Sequence, residues 1–261
     1  MVLSYSYCNV ARMPLRSEPT HRAEMVNEVL FGERAEVLEI SNNDWARIRC
    51  EWDGYEGWCK VGQLAFLSRK DYRKVPKYLV ARHTDKLVFE EGEMALPMGS
   101  ELYGLKGARL FLLNQIVKFK GKKKLIKDLT IDRDKVKATA FEYLHAPYLW
   151  GGRTLAGIDC SGLTQIVFKL CGMAIPRDAS QQANEGEPID FLQHAHCGDL
   201  AFFDNEEGKI THVGILLDSQ TIIHATDTSG RVVVDRIDQG GIISISLKKR
   251  THNLRMVKRY F

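Results

Sequence analysis

The stretch Pro147-Tyr-Leu-Trp-Gly-Gly152, followed by Asp159-Cys160-Ser161-Gly162-Leu163, constrains this chain more than any other. A glycine-rich approach delivers a cysteine to the start of a periodic segment. Leu163, Ile166, Val167, Leu170 and Cys171 recur at offsets of three and four, and Gly172 ends the pattern. The spacing predicts an amphipathic helix with a glycine C-cap. Asp159 stands at the N-cap position, so Cys160 falls in the first helical turn. Unpaired backbone N–H groups and the positive end of the helix dipole favour thiolate there. A nucleophilic cysteine also needs a base, which must come from elsewhere in the chain.

A chain of 261 residues is long enough for two or three compact units. Residues 1–68 are read as a small β-barrel, because short alternating strands and turns follow one another closely. Ala35–Ile40 and Trp45–Cys50 alternate, with Asn42-Asn43-Asp44 as the break between them. Asp53-Gly54 is a strong hairpin signal before Tyr55–Val61. Residues 69–130 are read as a second barrel, from β-like pieces at Lys86–Phe89, Ala95–Met98, Glu101–Tyr103 and Arg109–Leu113. Gln115–Lys120 and Lys122–Ile126 read as a hairpin about Gly121, its lysines a solvated edge.

Residues 131–261 form the last unit. A helix is expected over 132–145, then the Cys160 helix, then a short helix opened by Pro176-Arg177-Asp178. Strands follow at Gly198–Asp204, Thr211–Asp218, Thr221–Thr226, Arg231–Asp235 and Leu254–Phe261. Helices followed by an antiparallel sheet make an α+β unit. If the turn between the second and third of these strands centres on Ser219, paired residues have an even sum. His212 and His224 then share one face as diagonal neighbours, roughly 7–8 Å apart at the backbone. With that face at the start of the Cys160 helix, Cys160 attacks, His212 takes its proton and His224 orients His212.

These segments together resemble the NlpC-type (p-sixty) papain-like cysteine peptidases. The resemblance runs over Tyr148 in Pro-Tyr-Leu-Trp-Gly-Gly, Asp159-Cys160-Ser161-Gly162, Pro176-Arg177, Gly198-Asp199, His212-Val213-Gly214 and His224-Ala225. Leu15-Arg16-Ser17-Glu18-Pro19, Gly32-Glu33, Asp44-Trp45 and Gly54-Tyr55-Glu56-Gly57-Trp58 look like a bacterial SH3 domain. The expected architecture is an α+β papain-like catalytic domain preceded by two small all-β SH3-like barrels.

The resemblance implies a nucleophile at Cys160, a base at His212, an orienting residue at His224 and an oxyanion donor at Tyr148. With an SH3 domain present it resembles the γ-D-glutamyl-L-diamino acid endopeptidases, which cleave cell-wall peptides carrying a free N-terminal L-alanine. Substrate contacts are then expected from Asp159, Ser161, Asp178, Ser180, Tyr55 and Glu24, with Asp178 foremost in receiving the ammonium. Relatives carry a hydroxyl residue directly after that aspartate, whereas Ala179 and then Ser180 follow here. The partners implied are peptides of the type L-Ala-γ-D-Glu-diaminopimelate or -lysine.

Two other readings stay open: a papain-like amidase or acyltransferase on another substrate, and a non-catalytic module that binds cell-wall peptides. No cofactor or metal is implied. His194-Ala-His196-Cys197 lacks a second ligand pair and reads as loop. A net charge of +4 gives no reason to invoke nucleic acid. The opening Met-Val-Leu-Ser-Tyr-Ser-Tyr lacks a basic segment and an apolar run, and no membrane span is expected. With six cysteines and no CxxC, reduced thiols are expected, in a cytoplasmic and monomeric protein.

Overall fold

The computed structural model describes residues 1–41, 43–112 and 115–261. The chain divides into two compact units, Met1–Leu129 and Thr130–Phe261.

The first unit opens with seven strands: β1 (Ser4–Cys8), β2 (Arg12–Arg16), β3 (Met25–Leu30), β4 (Arg34–Ile40), β5 (Trp45–Cys50), β6 (Glu56–Lys60) and β7 (Leu64–Leu67). They form one antiparallel sheet in the order β3-β2-β6-β5-β4-β1-β7. Their inward residues, among them Met13, Leu15, Val29, Val37 and Ile48, close a core around Cys8, Cys50 and Cys59. All six cysteines of the chain are free thiols. Asn42, part of the break expected between β4 and β5, lies outside the described residues.

After α1 (Arg69–Tyr72) come β8 (Tyr78–Val80), β9 (Lys86–Val88), β10 (Glu93–Ala95), β11 (Arg109–Leu112), β12 (Gln115–Lys120) and β13 (Lys123–Leu125). Four of them pair in the order β10-β9-β12-β11, while β13 pairs with β8. Leu87, Leu110, Val117 and Phe119 share a core with Tyr7 and Phe31 from the preceding strands. The hairpin expected about Gly121 is not formed, because β12 and β13 belong to different ladders. Asp85 causes the separation: its carboxylate accepts the Lys122 N–H at 3.2 Å and fills the space where a side chain at 121 would stand. The strand expected at Ala95–Met98 lies two residues early, as β10, and Glu101–Tyr103 contributes only an isolated bridge from Glu101 to Leu79. Leu113, the expected end of the 109–113 strand, lies outside the described residues.

The second unit holds α2 (Arg133–Phe141), β14 (Arg153–Thr154), β15 (Gly157–Ile158), α3 (Cys160–Leu170) and α4 (Ala179–Gln182). Then follow β16 (Glu187–Ile189), β17 (Leu200–Asp204), β18 (Ile210–Leu216), β19 (Thr221–Thr226), β20 (Arg231–Asp238), β21 (Gly241–Ser244) and β22 (Lys249–Arg259). The sheet order is β16-β22-β17-β18-β19-β20-β21, and β22 pairs with β21 as well, so the last six strands close on themselves. Pro188 fits its place in β16, an edge strand that needs fewer N–H donors.

α3 is not the half-solvated helix its periodicity predicts: all eleven residues are buried. It packs against β18, β19, α2 and α4, and its polar residues bond internally. Thr164 donates to Gln182 at 2.8 Å, and Gln165 to the Ile175 carbonyl at 3.2 Å. Among the described residues no helix is long and apolar enough to cross a membrane.

Candidate active site

Asp159 sets the start of α3. One carboxylate oxygen accepts the Gly162 N–H at 2.7 Å, as an N-cap should, and the other accepts the Gly151 N–H at 2.8 Å. Arg177 grips both oxygens, at 3.0 and 2.6 Å, and also donates to Ser161 Oγ at 2.8 Å. All three residues are buried. The side chains of Asp159 and Ser161, expected to contact substrate, are therefore engaged in holding the helix start. Gly162 is required there, because a Cβ would stand 2.2 Å from the Gly152 carbonyl oxygen.

This cap presents Cys160 to the sheet, 5% exposed. Burial pushes its thiol up to about 12, with the Asp159 charge adding to the effect. Hydrogen bonds from the backbone of Val213 and Ser161, and the charge of Arg177, pull the other way without prevailing. Burial thus works against the thiolate that the helix position favours. Desolvation outweighs the dipole, and the neutral thiol needs a base during the reaction.

His212 is the candidate base. The sulfur lies against the backbone of Val213, one residue beyond His212. Ile215 pairs with Ile223 and Leu216 with Ile222, so the register has the even sum that puts His212 and His224 on one face. Gly214 leaves room for the second ring, since a Cβ there would meet the His224 Cβ at 2.9 Å. His212 Nε2 lies 2.9 Å from His224 Nδ1, and His224 Nε2 lies 3.3 Å from Asp235 Oδ2. The other Asp235 oxygen accepts the Ile245 N–H at 2.8 Å. Burial alone would raise the Asp235 carboxyl, yet these hydrogen bonds hold it below the ordinary value.

The tautomers follow from the anchor. A carboxylate can only accept, so His224 carries its proton on Nε2 and accepts at Nδ1. His212 then donates from Nε2, which leaves the Nδ1 lone pair for the thiol. Burial first, then His224 and His252, holds His212 well below the ordinary 6.5, so it stands neutral and ready to accept.

Tyr148 completes the site. Its backbone N–H is held by the Gly230 carbonyl at 2.8 Å. Burial, followed by the charges of Cys160, Asp159 and Asp227, raises its hydroxyl and keeps it a proton donor beside the sulfur.

Asp178 is half-buried at the N-cap position of α4, and Ser180 is exposed in that helix's first turn. Glu24 and Tyr55 belong to the first unit, where Glu24 is exposed and Tyr55 packs on the core of the seven strands. His196 Nδ1 lies 2.8 Å from an Arg133 nitrogen, and Cys197 contacts the Arg133 carbonyl at 3.5 Å.

A buried thiol with a neutral imidazole base, an orienting chain behind it and a protonated phenol alongside define a cysteine hydrolase of the acyl-transfer kind. Residues 145–251 match the NlpC/P60 family, and residues 15–64 match the bacterial dipeptidyl-peptidase SH3 domain. The chain is a cysteine peptidase that carries an NlpC/P60 domain and an N-terminal bacterial SH3 domain. It is 29% identical over 250 residues to dipeptidyl-peptidase 6 of Lysinibacillus sphaericus, covering 86% of this chain and 89% of that one. It is 29% identical to a gamma-D-glutamyl-L-lysine dipeptidyl-peptidase of Bacillus subtilis, covering 79% and 74%. An NlpC/P60 family protein from Bacillus cereus shares the fold with a TM-score of 0.83 and 21% identity, over 98% and 99% of the two chains.

Proposed function

We propose that this cell-wall peptidase hydrolyses the bond between γ-D-glutamate and a diamino acid in peptides that begin with a free L-alanine. The observation that carries the reading is the chain from Cys160 and His212 through His224 to Asp235, beside the Tyr148 hydroxyl. As the sulfur attacks the amide carbon, its proton passes to His212 Nδ1. The carbonyl oxygen gains charge and is met by Tyr148 and the Cys160 backbone N–H. His212 returns the proton to the leaving amine, which departs and leaves a thioester. Water, deprotonated by His212, then releases the dipeptide acid and the thiol.

Asp178, half-buried on the turn that also carries Arg177, is the group assigned to the substrate ammonium. Ser180, Glu24 and Tyr55 are further candidate contacts. The neighbourhood of residues 69–130 is read as a second SH3-like barrel, supported by two small antiparallel ladders around one core. Peptides of this size with a free amine are fragments of a degraded wall, which suits a cytoplasmic, monomeric recycling enzyme.

The test is mass spectrometry after incubation with L-Ala-γ-D-Glu-meso-diaminopimelate, its lysine counterpart and N-acetylated copies, with Cys160→Ala as control. Release of L-Ala-D-Glu from the free-amine peptides alone, absent in the control, is expected. Equal cleavage of the acetylated copies removes the amine requirement. Failure on every peptide favours an amidase or acyltransferase on another substrate, or a binding module.

A further inference from the structure

β22 begins at Lys249, and the register Ile242↔His252 brings His252 into the same cluster as the base. Its ring lies nearly parallel to the His212 imidazole, with centroids 4.1 Å apart and planes 23° apart. Phe203 of β17 presses on both rings, at 5.6 Å from His212 and 5.8 Å from His252. His224 meets both edge-on. The His252 ring is fixed in turn by Nδ1, which lies 2.9 Å from Thr251 Oγ1.

We propose that His252 is a positioning residue for His212, its ring fixing the plane of the base and stabilising the imidazolium that forms during attack. A neutral aromatic face beneath a nascent cation is worth a few-fold to about tenfold in rate when both are desolvated. The neutral form is the one present. Burial holds His252 down to about 4, with His224 acting in the same direction, against the opposing charges of Asp227 and Asp235. The groups facing His252 are thus His212 on β18, His224 on β19, Asp227 beyond β19 and Asp235 on β20. Phe203 on β17 and Ile242 on β21 carry no charge.

The inference rests on the cysteine-peptidase reading but not on the identity of the peptide, and the test separates the two. Full-length His252→Phe and His252→Gln are compared with the parent by the rate at which iodoacetamide alkylates Cys160, from pH 4 to 8. The same proteins are assayed for kcat and KM on the diaminopimelate peptide. In the parent the acid limb of alkylation falls below pH 6.5, because His212 is held below that value. His252→Phe retains the stack and stays within about threefold of the parent at neutral pH. Its acid limb moves to higher pH, because a protonated His252 no longer competes with His212 for charge. His252→Gln loses the stack, so alkylation at neutral pH and kcat both fall about tenfold with KM within about twofold. Parent-like rates in His252→Gln overturn the proposal, as does an equal loss in both variants. Absent peptide cleavage with the expected alkylation pattern retires the substrate and keeps His252.

Discussion

Asp235 is a carboxylate among buried side chains, opposite Ile222 in the ladder of β19 and β20. A charge so placed is costly unless every oxygen has a partner, and here His224 and the Ile245 N–H supply them. The chemical consequence is remote: it is Asp235 that decides which nitrogen of His212 carries the proton and which is left to accept one. Asp235→Asn keeps the shape, yet its amide can present an N–H to His224 and reverse the tautomer of both rings. We expect kcat to drop on the order of a hundredfold or more with KM changed less than about threefold. The drop is measured on the diaminopimelate peptide beside a thermal melt. A parent-like kcat in a well-folded variant would show that His224 holds its tautomer without the carboxylate.

At the scale of elements, α3 depends on one ion pair. Arg177 and Asp159 are buried together, and the pair also positions Ser161 and the Gly151 backbone. Arg177→Met leaves Asp159 charged and under-partnered in the interior, which should cost about 3–5 kcal/mol. Denaturant unfolding of the second unit measures this, and a loss below about 1 kcal/mol would mean the cap stands without the arginine. The segments around Cys160, His212 and His224 were legible in sequence because each combines a turn signal with a chemical group at fixed spacing. The pairing of His212 with His224 was legible as well, since Asp218-Ser219-Gln220 admits a centred turn. Asp235 and His252 were not assigned, for reasons of register. β20 runs on to Asp238, so Asp235 is an interior strand position and not the strand's end. The last strand is expected only from Leu254, whereas β22 begins at Lys249, where β21 pairs with it. A buried aspartate in the run Val232-Val-Val-Asp235 was the available signal. The burial of Cys160 is not legible, because helix position is visible in sequence, whereas burial is a property of everything packed around it.

At the scale of the molecule, two units with separate cores should unfold as two events. Each can be moved by a change confined to it. In the first unit Gly32 has φ +80°, and a Cβ would stand 1.8 Å from the Glu101 carbonyl oxygen, where Glu101 N–H also bonds the Phe31 carbonyl at 2.8 Å. Only glycine lets the seven strands and residues 69–129 meet there. Gly32→Ala combines an unfavourable backbone conformation with a collision against backbone, and a cost of at least about 1–2 kcal/mol follows. For a unit of this size that lowers one Tm by several degrees. In calorimetry we expect Gly32→Ala to lower one transition and Arg177→Met to lower the other, each leaving its neighbour within about a degree. A single transition that moves as one in both variants would mean that the two units unfold as one cooperative body, and that a change in either is felt in the stability of the site.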